Sequence, residues 1–253
     1  MLASTIALLF VAGIAGGTIN AIAGGATLIT FPAMLAAGLP PIAANASNAV
    51  AISPGHLIAA FADREKLPAL DRWLGASLLA AALGGVAGAL LLLALPERWF
   101  VLPVPALIGF ATLLFACAPQ VQAWSARRRT SAASARTREL VAVASASVYG
   151  GFFGAGLGVI LTAVLAIAEP GDIRRVKVLK NLLATAVSLA AVVIFIAQGA
   201  VRWPATLAML LGALLGGYAG GHLVRVLPAQ AVRRVVIASG VVMTVVYAWK
   251  YWF

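Results

Sequence analysis

Charge is scarce in this chain, and negative charge scarcest. Charged residues make up 10% of the 253 positions, against about a quarter in a soluble domain. Hydrophobic residues make up 63%, and mean hydropathy is +1.04. These values exclude an ordinary soluble domain and describe a polytopic membrane protein. The seven acidic residues are Asp63, Glu65, Asp71, Glu97, Glu139, Glu169 and Asp172. All fall between apolar stretches or at their ends. The Asp/Glu relay of a proton-driven pump is therefore missing, as is the carboxylate pair of a membrane hydrolase. No Walker A motif is present, so ATP is not the expected driver. The single cysteine, Cys117, excludes an internal disulfide and a thiolate metal cluster. No cofactor is implied. The apolar run from Leu2 to Ile14 lacks the basic n-region of a cleaved signal peptide, so it reads as a retained membrane segment. Too little sequence lies outside the apolar stretches for a separate soluble catalytic domain.

What the chain does have is positive charge: 18 Lys and Arg, and a net charge of +11. These residues sit between apolar stretches, where the positive-inside rule places them. That pattern accounts for the charge without a nucleic-acid partner. Trp73, Trp99, Trp124, Trp203, Trp249 and Trp252 cluster near the ends of apolar stretches, as anchors at a bilayer interface do.

The chain is also written twice. Gly84-Gly85-x-x-Gly88 and Leu95-Pro96 return as Gly216-Gly217-x-x-Gly220 and Leu227-Pro228, 132 residues later. Gly16-Gly17 is matched with Gly150-Gly151, Gly24 with Gly158, Gly38 with Gly171 and Asn48 with Asn181, at offsets of 133 to 134. An apolar, duplicated chain is the pattern of a secondary transporter whose site lies at matching interruptions in two repeats. In the first half the apolar stretches are 2–22, 26–37, 44–62, 69–95 and 99–118. In the second they are 139–157, 159–168, 176–198, 203–227 and 229–252.

A continuous helix over residues 2–37 would be about 54 Å long, against about 30 Å of bilayer hydrocarbon. A break at Gly24-Gly25 is expected, either as a hairpin or within one broken span. Charge separates the two. With one crossing per broken element, Lys and Arg divide ten to eight between the two sides. With hairpins, only Arg98, Arg202 and Lys250 fall on one side and the other fifteen share the opposite side. The strong bias favours hairpins. The expected fold is an all-α polytopic membrane protein with two inverted structural repeats, each opening with a glycine-broken helical hairpin. Residues 1–118 form the first repeat, 119–138 a cytoplasmic Ala/Ser/Arg linker, and 139–253 the second. Both termini are expected outside.

The run Gly24-Gly25-Ala-Thr-Leu-Ile-Thr-Phe-Pro32, followed by Leu35, Gly38, Pro40-Pro41, Ala43-Ala44 and Asn45-x-x-Asn48, resembles the signature of the sulfite exporter TauE/SafE family. Gly154-x-Gly156-x-Gly158 and Lys180-Asn181 resemble its repeat. The resemblance spans essentially the whole chain. It implies a bacterial inner-membrane permease for sulfite, an organosulfonate or a related oxyanion. Asn20 and Ala26 depart from the richer glycine run of that family.

Candidate substrate-binding residues follow from chemistry. Gly24, Gly25, Gly154, Gly156 and Gly158 permit a break that leaves free N–H groups at a half-helix N-terminus, where an anion is favoured. They equally suit close helix packing. Asn45, Asn48 and His56 share a helical face, and Asn amides donate to an oxyanion without carrying charge. Asn45 and Ser47 also suit helix capping. Lys180 and Asn181 occupy the matching place in the second half. Lys180 either supplies the cation that an anion needs on leaving water or snorkels to the interface, as Lys177, Arg174 and Arg175 are expected to do. His56 is titratable and mid-span, or a neutral hydrogen-bonded core residue. His222, Gln198 and Tyr149 are weaker candidates. The expected function is potential-driven export of a small anion by alternating access. The alternatives are cation-coupled uptake and a non-transporting membrane assembly factor. Ridges of small residues permit a homodimer without requiring one.

Overall fold

A computed structural model describes residues 3–22, 25–62, 71–127, 132–168, 173–223 and 228–253. Among them are twelve helices and no strand. The first half holds α1 (Ala3–Ile22), α2 (Thr27–Ala36), α3 (Pro41–Ala62), α4 (Arg72–Ala94), α5 (Glu97–Val101) and α6 (Val104–Ala116). After α7 (Ala118–Arg127), the second half holds α8 (Ala132–Phe152), α9 (Leu157–Ala168), α10 (Ile173–Ala197), α11 (Trp203–Leu223) and α12 (Ala229–Trp252). Among the described residues, six segments are long and apolar enough to cross a membrane: Ala3–Ile22, Arg72–Ala94, Glu97–Ala116, Arg175–Ala197, Trp203–Gly220 and Gln230–Trp252. Thr27–Ala36 and Leu157–Ile167 are apolar but short. Exposed apolar side chains such as Val11, Leu79, Leu83, Val193, Leu211 and Val245 face outward, as lipid-facing surfaces require.

The first element is a hairpin. α2 folds back along α1, so that a Cβ on Gly16 would collide with the Thr30 methyl. Gly25 takes φ 91° in the break, and Gly154 and Gly156 take 79° and 81° between α8 and α9. A side chain rarely adopts that left-handed backbone, so glycine is what allows each turn. Tyr149 fastens the second break by donating its hydroxyl to the Ala155 carbonyl at 2.6 Å. Proline is handled inside the helices. Pro54 cannot donate to the carbonyl four residues back, and Ser53 Oγ donates to that Val50 carbonyl at 3.1 Å.

The longest contacts cross between the halves: α1 packs on α11 and α8 on α4. Glycine lets the backbones touch. A Cβ on Gly84 would stand 2.7 Å from the Ala144 carbonyl, and one on Gly220 2.9 Å from the Thr18 carbonyl. A Cβ on Gly216 would strike the Ile14 carbonyl, and one on Gly88 the Val148 carbonyl. Residues 14 and 18 of α1 therefore take the places of 144 and 148 of α8, 130 residues on. The helix ends agree, 22 with 152 and 27 with 157. The offset of 134 for this element is one helical turn too long. Gly150-Gly151 answers to Asn20-Ala21, and Gly154 to position 24. Glycines three and four residues apart recur along α1, so sliding the match by one turn keeps small residues paired. Exchanging the halves also carries α3 on α11 into α10 on α4, while α3 on α10 and α6 on α12 map onto themselves.

Direction follows from a few bonds. The contacts of α1 with α11, and of α8 with α4, advance together along both chains, so each pair is parallel. The Ile42 N–H faces Glu97 Oε1 at 3.4 Å, just past α4, and the Arg202 N–H donates to Ser47 Oγ at 2.9 Å, just before α11. α4 thus ends where α11 begins, near the start of α3, and α1 and α8 run opposite ways. Arg98, Arg202 and Lys250 lie at that end. Arg72, Arg136, Arg175, Lys177 and Arg233 lie at the other, the basic end. Arg64, Lys66, Arg128, Arg129 and Arg225 fall outside the described residues. The described part of the segment read as a linker is helical: 119–127 belong to α7, which packs against α9, and 132–138 open α8.

Candidate functional site

Both hairpin breaks reach the same turn of α6. A Cβ on Gly25 would lie 3.0 Å from the Phe115 ring, and one on Gly156 3.4 Å from Leu114. Beside them is a cavity of about 790 Å³. It extends past α3 and α10 to Pro119, Gln122 and Gln230 at the basic end. It brings together Gly25, His56, Gly154, Gly156, Gly158, Lys180 and Asn181 from the residues expected at the site. Gly24 lies outside the described residues, as does the side chain of His222.

The cavity has one sign of charge. Among its described lining residues the charged groups are Lys177, Lys180 and Arg233, and no carboxylate is present. The Lys180 stem lies along the start of α9, 3.7 Å from where a Gly158 Cβ would be. An ammonium group is thus carried beside a helix N-terminus, where free N–H groups and the helix dipole add to the positive field. Asn181, which is 3% exposed, donates to the Ala59 carbonyl at 3.2 Å and so ties α10 to α3. Arg233 donates to the carbonyls of Phe115 and Ala116 at 3.0 and 2.7 Å, capping α6 next to the ring that Gly25 approaches.

Asn45 and Asn48 do not line the cavity. They are buried on α3, and Asn45 Nδ2 donates to the Phe152 carbonyl at the end of α8 at 3.0 Å. Lys177, expected at the interface, is a lining residue. So are Asn20, Gln122, Gln230 and Arg233, which sequence reasoning did not select. Asn20 carried a signal, since it is an amide in an otherwise apolar helix. Gln230 and Arg233 carried a weaker one, three residues apart at the start of α12.

The chain resembles bacterial membrane proteins over nearly its full length. A probable membrane transporter protein of Haemophilus influenzae is 27% identical over 241 residues, which cover 94% of this chain and 92% of the relative. The probable membrane transporter protein YfcA of Escherichia coli strain K12 is 26% identical over 238 residues, covering 93% and 87%. The probable membrane transporter protein ORF9 of a Sinorhizobium species is 28% identical over 242 residues, covering 95% and 91%. No solved structure matches the chain. With its apolar helices, these relatives make it a multi-pass bacterial inner-membrane transporter rather than an enzyme. The family profile of the sulfite exporter TauE/SafE matches residues 9–247, and the chain belongs to that family.

Proposed function

We propose that the chain carries a small oxyanion, sulfite or an organosulfonate, through the cavity between the two hairpins. The observation that carries this reading is a cavity with three cationic side chains and no described carboxylate, lying against two glycine breaks. Lys180 supplies the charge that replaces water around the anion. Backbone N–H groups at the starts of α2 and α9, together with Asn181, supply directional donors. The carrier consists of two inverted repeats, 1–118 and 139–253, joined through the segment 119–138. The opposed directions of α1 and α8, and main helix contacts (α1 on α11 with α8 on α4, α3 on α11 with α10 on α4) that exchange with the halves, support that arrangement. The basic end is cytoplasmic by the positive-inside rule, so the cavity reaches inward in this conformation. Rocking of one repeat against the other opens it outward.

Direction follows from driving force. An interior-negative potential expels an anion with about 2.3 kcal/mol per charge per 100 mV, and export needs no coupling ion. The test is sulfite efflux from proteoliposomes at a series of clamped potentials. Efflux that grows as the inside becomes more negative supports export. Efflux independent of potential contradicts it. Uptake coupled to a cation is the second reading, favoured by the buried side-chain amide oxygens of Asn45 and Asn48 on α3, which have no donor among the described residues.

A further inference from the structure

Asn45 and Asn48 are 2% and 1% exposed, and Oδ1 of each has no hydrogen-bond partner among the described residues. They stand three residues apart on α3 and so share a face. The Asn45 amide is oriented by its N–H bond to the Phe152 carbonyl. What remains free is oxygen, which only accepts. An anion cannot use it. A buried acceptor without a donor costs about 1–3 kcal/mol, and here two occur on one face. α8 ends at the same place, so the negative pole of its dipole points there. Neutral oxygens beside the C-terminus of a broken helix are the arrangement that holds sodium in carriers of this general build. Among the described residues no cluster of three His, Cys, Asp or Glu could hold a transition metal. Hard cations take oxygen ligands, and without a carboxylate the set suits a single charge.

We propose that Asn45 and Asn48, with the carbonyl end of α8, hold a sodium ion that moves with the anion. The proposal rests on the cation-coupled reading. It also explains how the two ions communicate. Phe152 closes α8, and Gly154, two residues on, lines the anion cavity. Sodium bound on one side of that break holds the other side in the shape that receives the anion.

The test uses purified full-length protein in detergent without any anion substrate. Thermal unfolding is followed as sodium chloride replaces choline chloride at constant ionic strength. The expected result is a saturable rise in midpoint with sodium, absent in Asn48→Leu and retained in Lys180→Ala. Asn48→Asp adds a charge to the same site, and its rise is expected at lower sodium. No sodium-specific rise in the wild type overturns the proposal and leaves the two oxygens to ordered water. An undiminished rise in Asn48→Leu overturns it as well. Should Asn48→Leu fail to fold, Asn48→Asp decides, and a rise needing as much sodium as the wild type counts against the site. A sulfite-induced rise that depends on Lys180 while sodium has no effect removes the cation site and leaves the anion cavity standing.

Discussion

In the proposed reading, Lys180 and the glycines beside it set the chemistry of the cavity, and each makes a separate prediction. A hydrogen bond to a charged group contributes about 1.5–3 kcal/mol. Lys180→Ala should therefore raise the sulfite KM about ten- to hundredfold, measured as initial flux against concentration, and Lys180→Arg should recover part of it. Asn181→Ala removes a neutral donor and should cost less. A KM unchanged in Lys180→Ala would place the anion elsewhere. Gly154→Ala forces a side chain into φ 79° with a Cβ 3.0 Å from the Gly150 carbonyl. A loss of about 1–3 kcal/mol is expected, seen as a lower unfolding midpoint, whereas Gly38→Ala, equally left-handed but with open space around it, should lose less. Much of this was legible in the sequence, because Gly25, Gly154 and Lys180 are residue types with few reasons to interrupt an apolar stretch. Asn45 and Asn48, expected at the substrate site, lie off the cavity, and their chemistry was harder to read for a physical reason. An amide carries a donor and an acceptor, and the sequence does not say which one is left free.

At the scale of elements, the molecule depends on two helix crossings close enough for backbone contact. Leucine at Gly216 would meet the Ile14 carbonyl directly, and leucine at Gly88 the Val148 carbonyl. Either substitution should separate the pair and leave little folded protein, read by size-exclusion chromatography in detergent. Leucine at Gly75, which has nothing nearby, should not. The first break was readable because a 36-residue apolar run is too long for one span, and the second because Gly154-x-Gly156-x-Gly158 interrupts its run. The register between halves was not, since helical spacing lets glycine pairs match after a slip of one turn. Only contact across the crossings fixes that register, and contacts between distant segments leave no mark in local sequence.

For the whole molecule, the charge distribution predicts orientation. In a Cys117→Ser background, single cysteines at Ala3 and Gly199 should react with an impermeant thiol reagent applied outside cells. A cysteine at Gln230 should be protected until the membrane is opened. The reverse pattern would invert the assignment of the basic end. The preference for hairpins was legible because they divide the basic residues fifteen to three rather than ten to eight. The shape of the cavity was not, because it is enclosed by helices of both halves, α1, α3, α9, α10, α11 and α12 among them. The central claim is that this cavity passes a small oxyanion by way of Lys180. Its most direct test is sulfite flux in proteoliposomes with sodium on both sides and the potential clamped, wild type beside Lys180→Ala. The account predicts flux well above protein-free vesicles that falls sharply in the variant. Folded wild-type protein that moves no sulfite or related sulfonate, or a variant as fast as the wild type, would contradict it.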